Sequence, residues 1–354
     1  MDGLSRLSIS SDSSSERSIH QATRNTLSPS ERAAFLELKR LCASNNVYWK
    51  SNGRVGGQIT AQCNDDVTLL RFLRARNYVP CAAFKQYTAT VTWRQQLKLD
   101  AMYTNADIPH FEAMRRLLPQ WTGRRSCTGL PIYAYRVSAI QQCDLVSTAK
   151  SDPSLSTVFL TGEYAEQFVQ PLCGRLNGGN AAVAHAMHII DLKGVGVKHL
   201  WSLRSYLQKL GATATAHYPE AVEKIFIIGA PSFFPTLYSF ITKLFDANLT
   251  SKISVLTPSN AFSTLTRYIH PDDLPQFAGG NQEWDYGCHP DLDAEARVMV
   301  GFALAEEWVE GPLKFMESED GGEILAVGTG GKAIREKIIV RVVGKGGLSD
   351  SEEE

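Results

Sequence analysis

The stretch that decides the fold is residues 217–256, HYPEAVEKIFIIGAPSFFPTLYSFITKLFDANLTSKISVL. Residues 224–228 form an uninterrupted apolar run of the kind found in a strand covered on both faces, and Gly229 follows it. Apolar side chains then recur at helical spacing over residues 234–245, and a second short apolar run covers residues 253–256. This order predicts a βαβ unit, whose two strands lie parallel and next to each other.

Two charged residues, Glu220 and Lys252, precede the first and the second of these strands. Parallel neighbours begin at the same edge of a sheet. We therefore expect the two side chains to lie close together and to form a charged site at that edge.

The composition excludes several classes of protein. A net charge of −1 argues against a dedicated nucleic-acid binder. Seven scattered cysteines without a CxxC pair favour reduced thiols in the cytosol over disulfides or structural zinc. No apolar stretch reaches 18 residues, and the amino-terminal segment lacks the apolar core of a secretory signal.

The remaining chain predicts a helical lobe followed by an α/β layer. Amphipathic helices are predicted near residues 30–41, 66–76 and 81–99. Strands at 132–137 and 183–192 alternate with helices at 155–173 and 198–215, which indicates a mostly parallel sheet. After a short helix at 261–270, we predict a helix near 293–309 and strands at 323–327 and 337–343.

Enzymatic motifs are missing. The Gly194-Val195-Gly196 segment lacks the third glycine of a dinucleotide fingerprint, because His199 occupies that position. The chain contains no Walker A loop, nucleophile elbow, HExxH or EF-hand loop. We therefore expect a binding protein, not an enzyme.

Four segments together resemble the CRAL-TRIO lipid-binding family, of the yeast phosphatidylinositol/phosphatidylcholine transfer type. They are DDVTLLRFLRAR at 65–76, DLKG at 191–194, the YPE-to-GAP segment at 218–231, and LPQFAGG at 274–280. The resemblance implies an α/β fold, in which an N-terminal helical bundle packs on a lobe with a mostly parallel sheet, flanking helices and a deep apolar pocket for one lipid.

The resemblance also implies a domain organisation along the chain. The expected parts are a disordered Ser-rich tail (1–28), an N-terminal helical lobe (30–105), a CRAL-TRIO domain (110–286), a C-terminal extension (287–345) and an acidic disordered tail (346–354).

Such a family member acts as a cytosolic lipid carrier. It holds one phospholipid, docks transiently on membranes as a monomer, and opens a helical gate, here residues 234–247. Burying acyl chain contributes about 0.8 kcal/mol per CH₂, so a carrier must enclose its lipid and release it through an apolar opening at the bilayer surface. The aromatic and apolar side chains at the gate are Phe233, Phe234, Tyr238, Phe240, Ile241 and Phe245. An ordinary core is the favoured interpretation for most of them, and the gate role is kept for the first three, Phe233, Phe234 and Tyr238.

The headgroup residues of the family are matched in part. Members that bind phosphatidylinositol use a Glu-Arg pair after Tyr-Pro, a Lys before the next strand and an Arg of the RFLRAR helix. Glu220, Lys252 and Arg76 match three of these, but Ala221 replaces the Arg of the pair. An ion-pair network between the lobes is the structural alternative for the three residues.

The choline-lipid site of the family uses a Ser and a Thr on the strand before DLKG. Ala186 and His188 stand there, and the alternation of side chains in a strand turns both toward the pocket. Loss of both hydroxyls disfavours a choline headgroup.

Two further hypotheses remain. Some fungal relatives hold haem through Tyr or His of this strand, which makes His188 a candidate haem ligand, although a hydrogen-bonded core histidine is the ordinary alternative. A lipid-sensing regulatory adaptor, with a terminal extension that binds a partner, is the third hypothesis.

Overall fold

The computed structural model describes twelve parts of the chain: residues 27–47, 54–55, 58–59, 66–139, 156–177, 183–235, 238, 242, 247–300, 308–318, 321–330 and 333–343. The acidic tail, all but two residues of the Ser-rich tail, and most of the expected gate helix lie outside the described residues.

The N-terminal lobe is a bundle of helices, as predicted. Ser28 begins the first helix with a capping box, in which Ser28 Oγ accepts from the Glu31 amide and the Glu31 carboxylate accepts from the Ser28 amide. Leu38 and Leu73 are fully buried in the core that the first three helices share. The helices of this part of the chain are α1 (Pro29–Ser44), α2 (Asp66–Ala75), α3 (Pro80–Leu97), α4 (Leu99–Thr104) and α5 (Ile108–Arg115). The short strands β1 (Arg54–Val55) and β2 (Gln58–Ile59) pair within the segment that the glycines predict to be a loop.

The central sheet has five strands in the order β3-β4-β5-β6-β7. They are β3 (Gln120–Arg125), β4 (Pro131–Arg136), β5 (Ala186–Asp191), β6 (Val222–Ile228) and β7 (Ile253–Val255). Ile225 pairs with Ile253 in parallel register, which confirms the predicted βαβ pairing of β6 with β7. Only β3 runs antiparallel to its neighbour. Strand β3 was not predicted from the sequence, because QWTGRR has no apolar run or alternation.

Helices cover the two faces of this sheet. One face carries α6 (Ser156–Tyr164), a π-helical segment (Ala165–Val169), α7 (Gln170–Leu176) and α8 (Val197–His217). Helix α9 (Ala247–Ser251) precedes β7. The other face packs against α10 (Ala261–Leu265) and the turns that follow, where Leu265 and Leu274 are fully buried. The single helix predicted at 155–173 is therefore interrupted by the π-helical segment.

The C-terminal part adds α11 (Ala294–Val300) and a three-stranded antiparallel sheet, β8 (Leu313–Ser318), β9 (Gly321–Gly330) and β10 (Ala333–Val343). Leu313, Phe315 and Ile324 of this sheet join the same core as the helical face of the central sheet. The Tyr103 hydroxyl donates to the Leu313 carbonyl at 2.6 Å and joins the sheet to α4. The prediction missed β8. Helix α11 agrees with the start of the helix predicted near 293–309, whose residues 301–307 lie outside the described residues.

Candidate functional site

Side chains in the middle of the central sheet are partly exposed on the face turned to the helical layer, and from this we infer an apolar hollow there. On β5, the central strand, His188 and Ile190 point to the helical layer and are partly exposed, as is Ile225 on β6. Alternate residues face opposite sides of a strand. The opposite face is filled: Ile189 is fully buried and Phe226 is 1% exposed. Partial exposure on one face of a central strand indicates an internal space, which is lined by apolar side chains.

His188 lies within this hollow, on the same face as Ala186, as the strand alternation predicts. Its ring stacks on Tyr133 of β4, with ring centroids 5.3 Å apart. Burial lowers the pKa of His188 to about 4, so the imidazole is neutral at physiological pH. Ala186 is 5% exposed and offers no polar group. No cluster of three or more metal-ligating side chains occurs among the described residues.

The segment after β6 packs aromatic side chains into the core on the same face of the sheet. Phe234 is buried, while Phe233 and Tyr238 are partly exposed and pack against the core. The rings of Phe234 and Tyr238 lie 5.6 Å apart. The other three predicted gate residues, Phe240, Ile241 and Phe245, lie outside the described residues.

Glu220 and Lys252 form an ion pair at the amino-terminal edge of the sheet, which confirms the predicted proximity. Lys252 Nζ lies 2.7 Å from Glu220 Oε2 and donates to the Val222 carbonyl at 2.8 Å. Asn248 Nδ2 donates to the other carboxylate oxygen of Glu220. Both charged side chains are mostly buried, 12% exposed for Glu220 and 19% for Lys252.

Glu220 adopts a left-handed backbone conformation, with φ of 54°. Non-glycine residues seldom adopt this conformation, which costs on the order of 1 kcal/mol and persists only where surrounding contacts enforce it. The neighbouring contact is a hydrogen bond between His185 Nδ1 and the Glu220 carbonyl, at 2.6 Å. The turn therefore holds the carboxylate in a defined place at the edge of the hollow.

Arg71 and Arg76 of the RFLRAR motif differ in exposure, and the headgroup role of Arg76 stays a prediction. Arg76 is exposed just after the end of α2. Arg71, which the sequence analysis did not select, is 2% exposed and donates from Nε to the Pro219 carbonyl at 2.9 Å. Its position between Leu70 and Phe72, within a run of apolar residues, is the sequence signal that predicts burial.

The contacts of Arg71 belong to a buried polar network between the two lobes. Arg71 Nη1 lies 2.8 Å from Glu166 Oε1, and Arg94 contacts Glu163 through both terminal nitrogens, at 2.7 and 2.6 Å. The Tyr218 hydroxyl donates to Glu163 at 2.9 Å. This network holds the Tyr218–Glu220 turn against the N-terminal lobe, and it involves the π-helical segment, a feature frequently found at functional sites.

The pKa values of the two carboxylates in the network, Glu163 and Glu166, are shifted in opposite directions. Burial alone would raise the pKa of Glu163, but Arg94 overcomes this effect and lowers the pKa below its ordinary value. Burial raises the pKa of Glu166; Arg71 opposes that rise and Glu163 adds to it. The network accordingly depends on both arginines to hold two acidic groups in the interior.

Comparisons with known proteins agree with this architecture. The family model described as "CRAL/TRIO domain" matches residues 141–280, and "CRAL/TRIO, N-terminal domain" matches residues 35–89. The Sec14 cytosolic factor of Schizosaccharomyces pombe is 30% identical over 224 residues, which are 63% of this chain and 77% of that protein.

Two further matches are more distant. The phosphatidylinositol/phosphatidylcholine transfer protein SFH12 of Arabidopsis thaliana is 26% identical and matches 60% of this chain and 39% of its own. The crystal structure of Sfh5 covers 79% of this chain and 99% of its own, with a TM-score of 0.52 at 13% identity, and supports the fold. From the two family matches and the Schizosaccharomyces pombe relative, the chain belongs to the CRAL/TRIO family, as the sequence motifs indicated.

Proposed function

We propose that this protein binds one phospholipid, preferentially phosphatidylinositol, and transfers it between membranes without catalysis. The observation that carries the proposal is the apolar hollow on one face of the central sheet, since central-strand residues such as Ile190 and Ile225 are partly exposed inside the protein. A space lined by apolar side chains favours an apolar guest.

The dimensions of the sheet support an acyl chain as that guest. The seven residues of β6, which lies between Glu220 at the charged edge and Gly229 at the gate edge, extend about 20 Å. One leaflet of a bilayer contributes about 15 Å of hydrocarbon, half of the 30 Å core. A lipid headgroup at the charged edge would therefore leave its acyl chains alongside β6.

The charged edge supports an inositol phospholipid over a choline lipid. The Lys252 ammonium has three donors, of which its contacts with Glu220 and Val222 use two, so the third can bind a phosphate oxygen. The Glu220 carboxylate can accept a bond from an inositol hydroxyl. Ala221 supplies no second cation, and Ala186 and His188 supply no hydroxyl for a choline headgroup.

The opposite edge is suited to a membrane. Val197 and Trp201, one turn apart at the start of α8, are 53% and 48% exposed, and the flanking Lys193 and Lys198 are exposed as well. Trp favours the interface of a bilayer, and each cation near an anionic surface contributes about 1 kcal/mol. This edge adjoins the gate segment, because the Leu192 amide donates to the Ile228 carbonyl at 3.0 Å.

The proposal includes peripheral docking from the cytosol, with the 234–247 segment as the gate, and the exposed Val197 and Trp201 support it. Among the described residues, no helix is both long and apolar enough to cross a membrane.

Lipid extraction from the purified protein, followed by mass spectrometry, tests the ligand. We expect phosphatidylinositol at about one molecule per protein. A vesicle-to-vesicle transfer assay with labelled phosphatidylinositol tests transfer. If no lipid co-purifies and none is loaded from vesicles, the proposed function is rejected.

Haem binding is the second candidate, and His188 is the observation that favours it. A neutral imidazole that faces an apolar hollow fits an axial ligand of haem iron. If haem were bound there, it would supply redox or sensing chemistry, and His188 would hold it. Absence of a Soret band after haem is added to the purified protein would exclude this candidate, and a band that His188→Ala removes would support it.

A further inference from the structure

A small, partly open cavity lies between α5, α6 and the β3–β4 hairpin. Phe111, Trp121 and Tyr164 form its aromatic walls, and Arg115 and Tyr133 contribute polar groups. It encloses about 20 Å³, which is enough for one water-sized group. None of the lipid-site residues described above except Tyr133 lines it.

Arg115 is incompletely bonded in this cavity although it is only 7% exposed. Its Nε donates to Glu112 Oε2 at 2.8 Å, and its Nη1 reaches the Cys288 carbonyl at 3.4 Å. Its Nη2 is buried and has no hydrogen-bond partner among the described residues. The guanidinium is therefore held in place by Glu112 while one charged nitrogen still requires an acceptor.

Tyr133 provides a second polar group of the same kind. Its side chain is 7% exposed, and its hydroxyl oxygen has no hydrogen-bond partner among the described residues. Gln120, which also lines the cavity, has an unpartnered buried Nε2 among the described residues. Buried polar atoms in native proteins are nearly always satisfied, so three unsatisfied groups on one cavity indicate an occupant. A guanidinium only donates, so this occupant must present an acceptor oxygen.

The cavity adjoins the apolar hollow. Tyr133 stacks on His188 of the neighbouring strand, and Trp121 pairs with Tyr133 in the antiparallel ladder. The polar cavity therefore lies on the same face of the sheet as His188, one strand away from it. It lies on the other side of β5 from β6 and the Glu220–Lys252 pair.

We propose that Arg115 and Tyr133 form an inner polar subsite that donates hydrogen bonds to a carbonyl oxygen of the bound amphiphile. Two sources share this chemistry, the acyl ester of a glycerolipid and the carboxyl group of a free fatty acid. The inference rests on the proposed lipid-binding function, and it adds a second polar contact at a different place from the headgroup site.

Displacement of cis-parinaric acid, a fluorescent fatty acid, tests the subsite with two matched pairs of competitors. The first pair is oleic acid and oleyl alcohol. The second is diester and diether phosphatidylinositol of equal chain length, presented in phosphatidylethanolamine vesicles. We expect the wild-type protein to prefer the carbonyl-containing member of at least one pair about tenfold, the effect of a single hydrogen bond to a charged group.

Tyr133→Phe keeps the ring and removes the hydroxyl, and Arg115→Lys keeps a cation beside Glu112 while removing the planar fork. Each substitution should reduce the preference to about threefold or less. Tyr87→Phe, a buried tyrosine of the N-terminal lobe, serves as the control and should leave the preference unchanged. If one of the two test variants fails to fold, the competitor preference measured with the other variant decides whether the subsite exists.

The preferred pair identifies the source: acid over alcohol indicates a fatty acid, and ester over ether indicates a glycerolipid. Equal affinity within both pairs in the wild-type protein overturns the subsite and assigns the cavity to ordered water. A preference that neither variant reduces also overturns it. If no competitor binds and cis-parinaric acid does not load, the lipid-binding function fails and the subsite fails with it.

Discussion

Replacing Arg71 tests whether the buried network between the lobes holds the site in place. Arg71→Met keeps most of the apolar stem but removes the hydrogen bond to the Pro219 carbonyl and the ion pair with Glu166. Arg76→Met is the matched control, because it alters an exposed arginine five residues away in the same motif.

The expected cost follows from burial. Removing one partner of a buried ion pair costs about 3–5 kcal/mol when the other charge stays uncompensated. Glu166 can escape part of this cost by protonation, since its pKa is already raised in the folded protein. We therefore expect Arg71→Met to lower the free energy of unfolding by about 3 kcal/mol at pH 7.5, and Arg76→Met by less than about 0.5 kcal/mol.

The loss of unfolding free energy in Arg71→Met should depend on pH in a defined direction. Loss of Arg71 raises the folded-state pKa of Glu166 further above its unfolded-state value. The folded protein then binds the proton more tightly than the unfolded chain, so stability falls as pH rises through the folded-state pKa. The deficit of Arg71→Met should be largest at pH 7–8 and shrink toward pH 5.

Urea unfolding followed by circular dichroism measures this effect, and phosphatidylinositol transfer measures its consequence for the Tyr218–Glu220 turn. Transfer should fall with Arg71→Met. Equal stability of the two variants, or a deficit that grows as pH is lowered, would refute the reasoning.

Three further predictions concern the charged edge, the membrane edge and the start of the gate. Lys252→Ala should slow phosphatidylinositol transfer about tenfold while changing phosphatidylcholine transfer by less than about twofold; equal losses in a two-lipid transfer assay would contradict a headgroup role. Trp201→Ala should weaken sedimentation with anionic vesicles about tenfold, through lost aromatic burial, whereas Phe262→Ala, equally exposed elsewhere, should not. Gly229→Ala should destabilise the protein by about 2–3 kcal/mol, because its φ is 63° and the new Cβ would lie 2.8 Å from a backbone nitrogen. Gly194→Ala, with φ of 77° but open space around it, should cost about 1 kcal/mol; similar urea midpoints for the two alanine variants would refute the steric argument.

Local sequence patterns were sufficient for much of the fold and part of the site. An apolar run, a helical spacing and a second apolar run predicted that β6 and β7 are parallel neighbours. The common edge of parallel strands then predicted that Glu220 and Lys252 meet, which the 2.7 Å contact confirms. The period of two in a strand likewise placed Ala186 and His188 on one face. The headgroup and gate roles of these residues stay predictions.

Other features were decided only by tertiary structure. The polar strand β3 forms because the hairpin partner β4 satisfies its backbone, a contribution that side-chain periodicity does not reveal. Arg71 is buried, and Arg76 is exposed, because of the side from which the second lobe approaches α2. The partners of Arg71 lie 95 and 148 residues away along the chain. The inner cavity at Arg115 and Tyr133 likewise joins a helix to a strand, and it exists only where their packing leaves a gap. Local sequence determines which residues can form strands and helices, whereas the burial of a charge and the shape of a cavity depend on distant segments that only folding brings together.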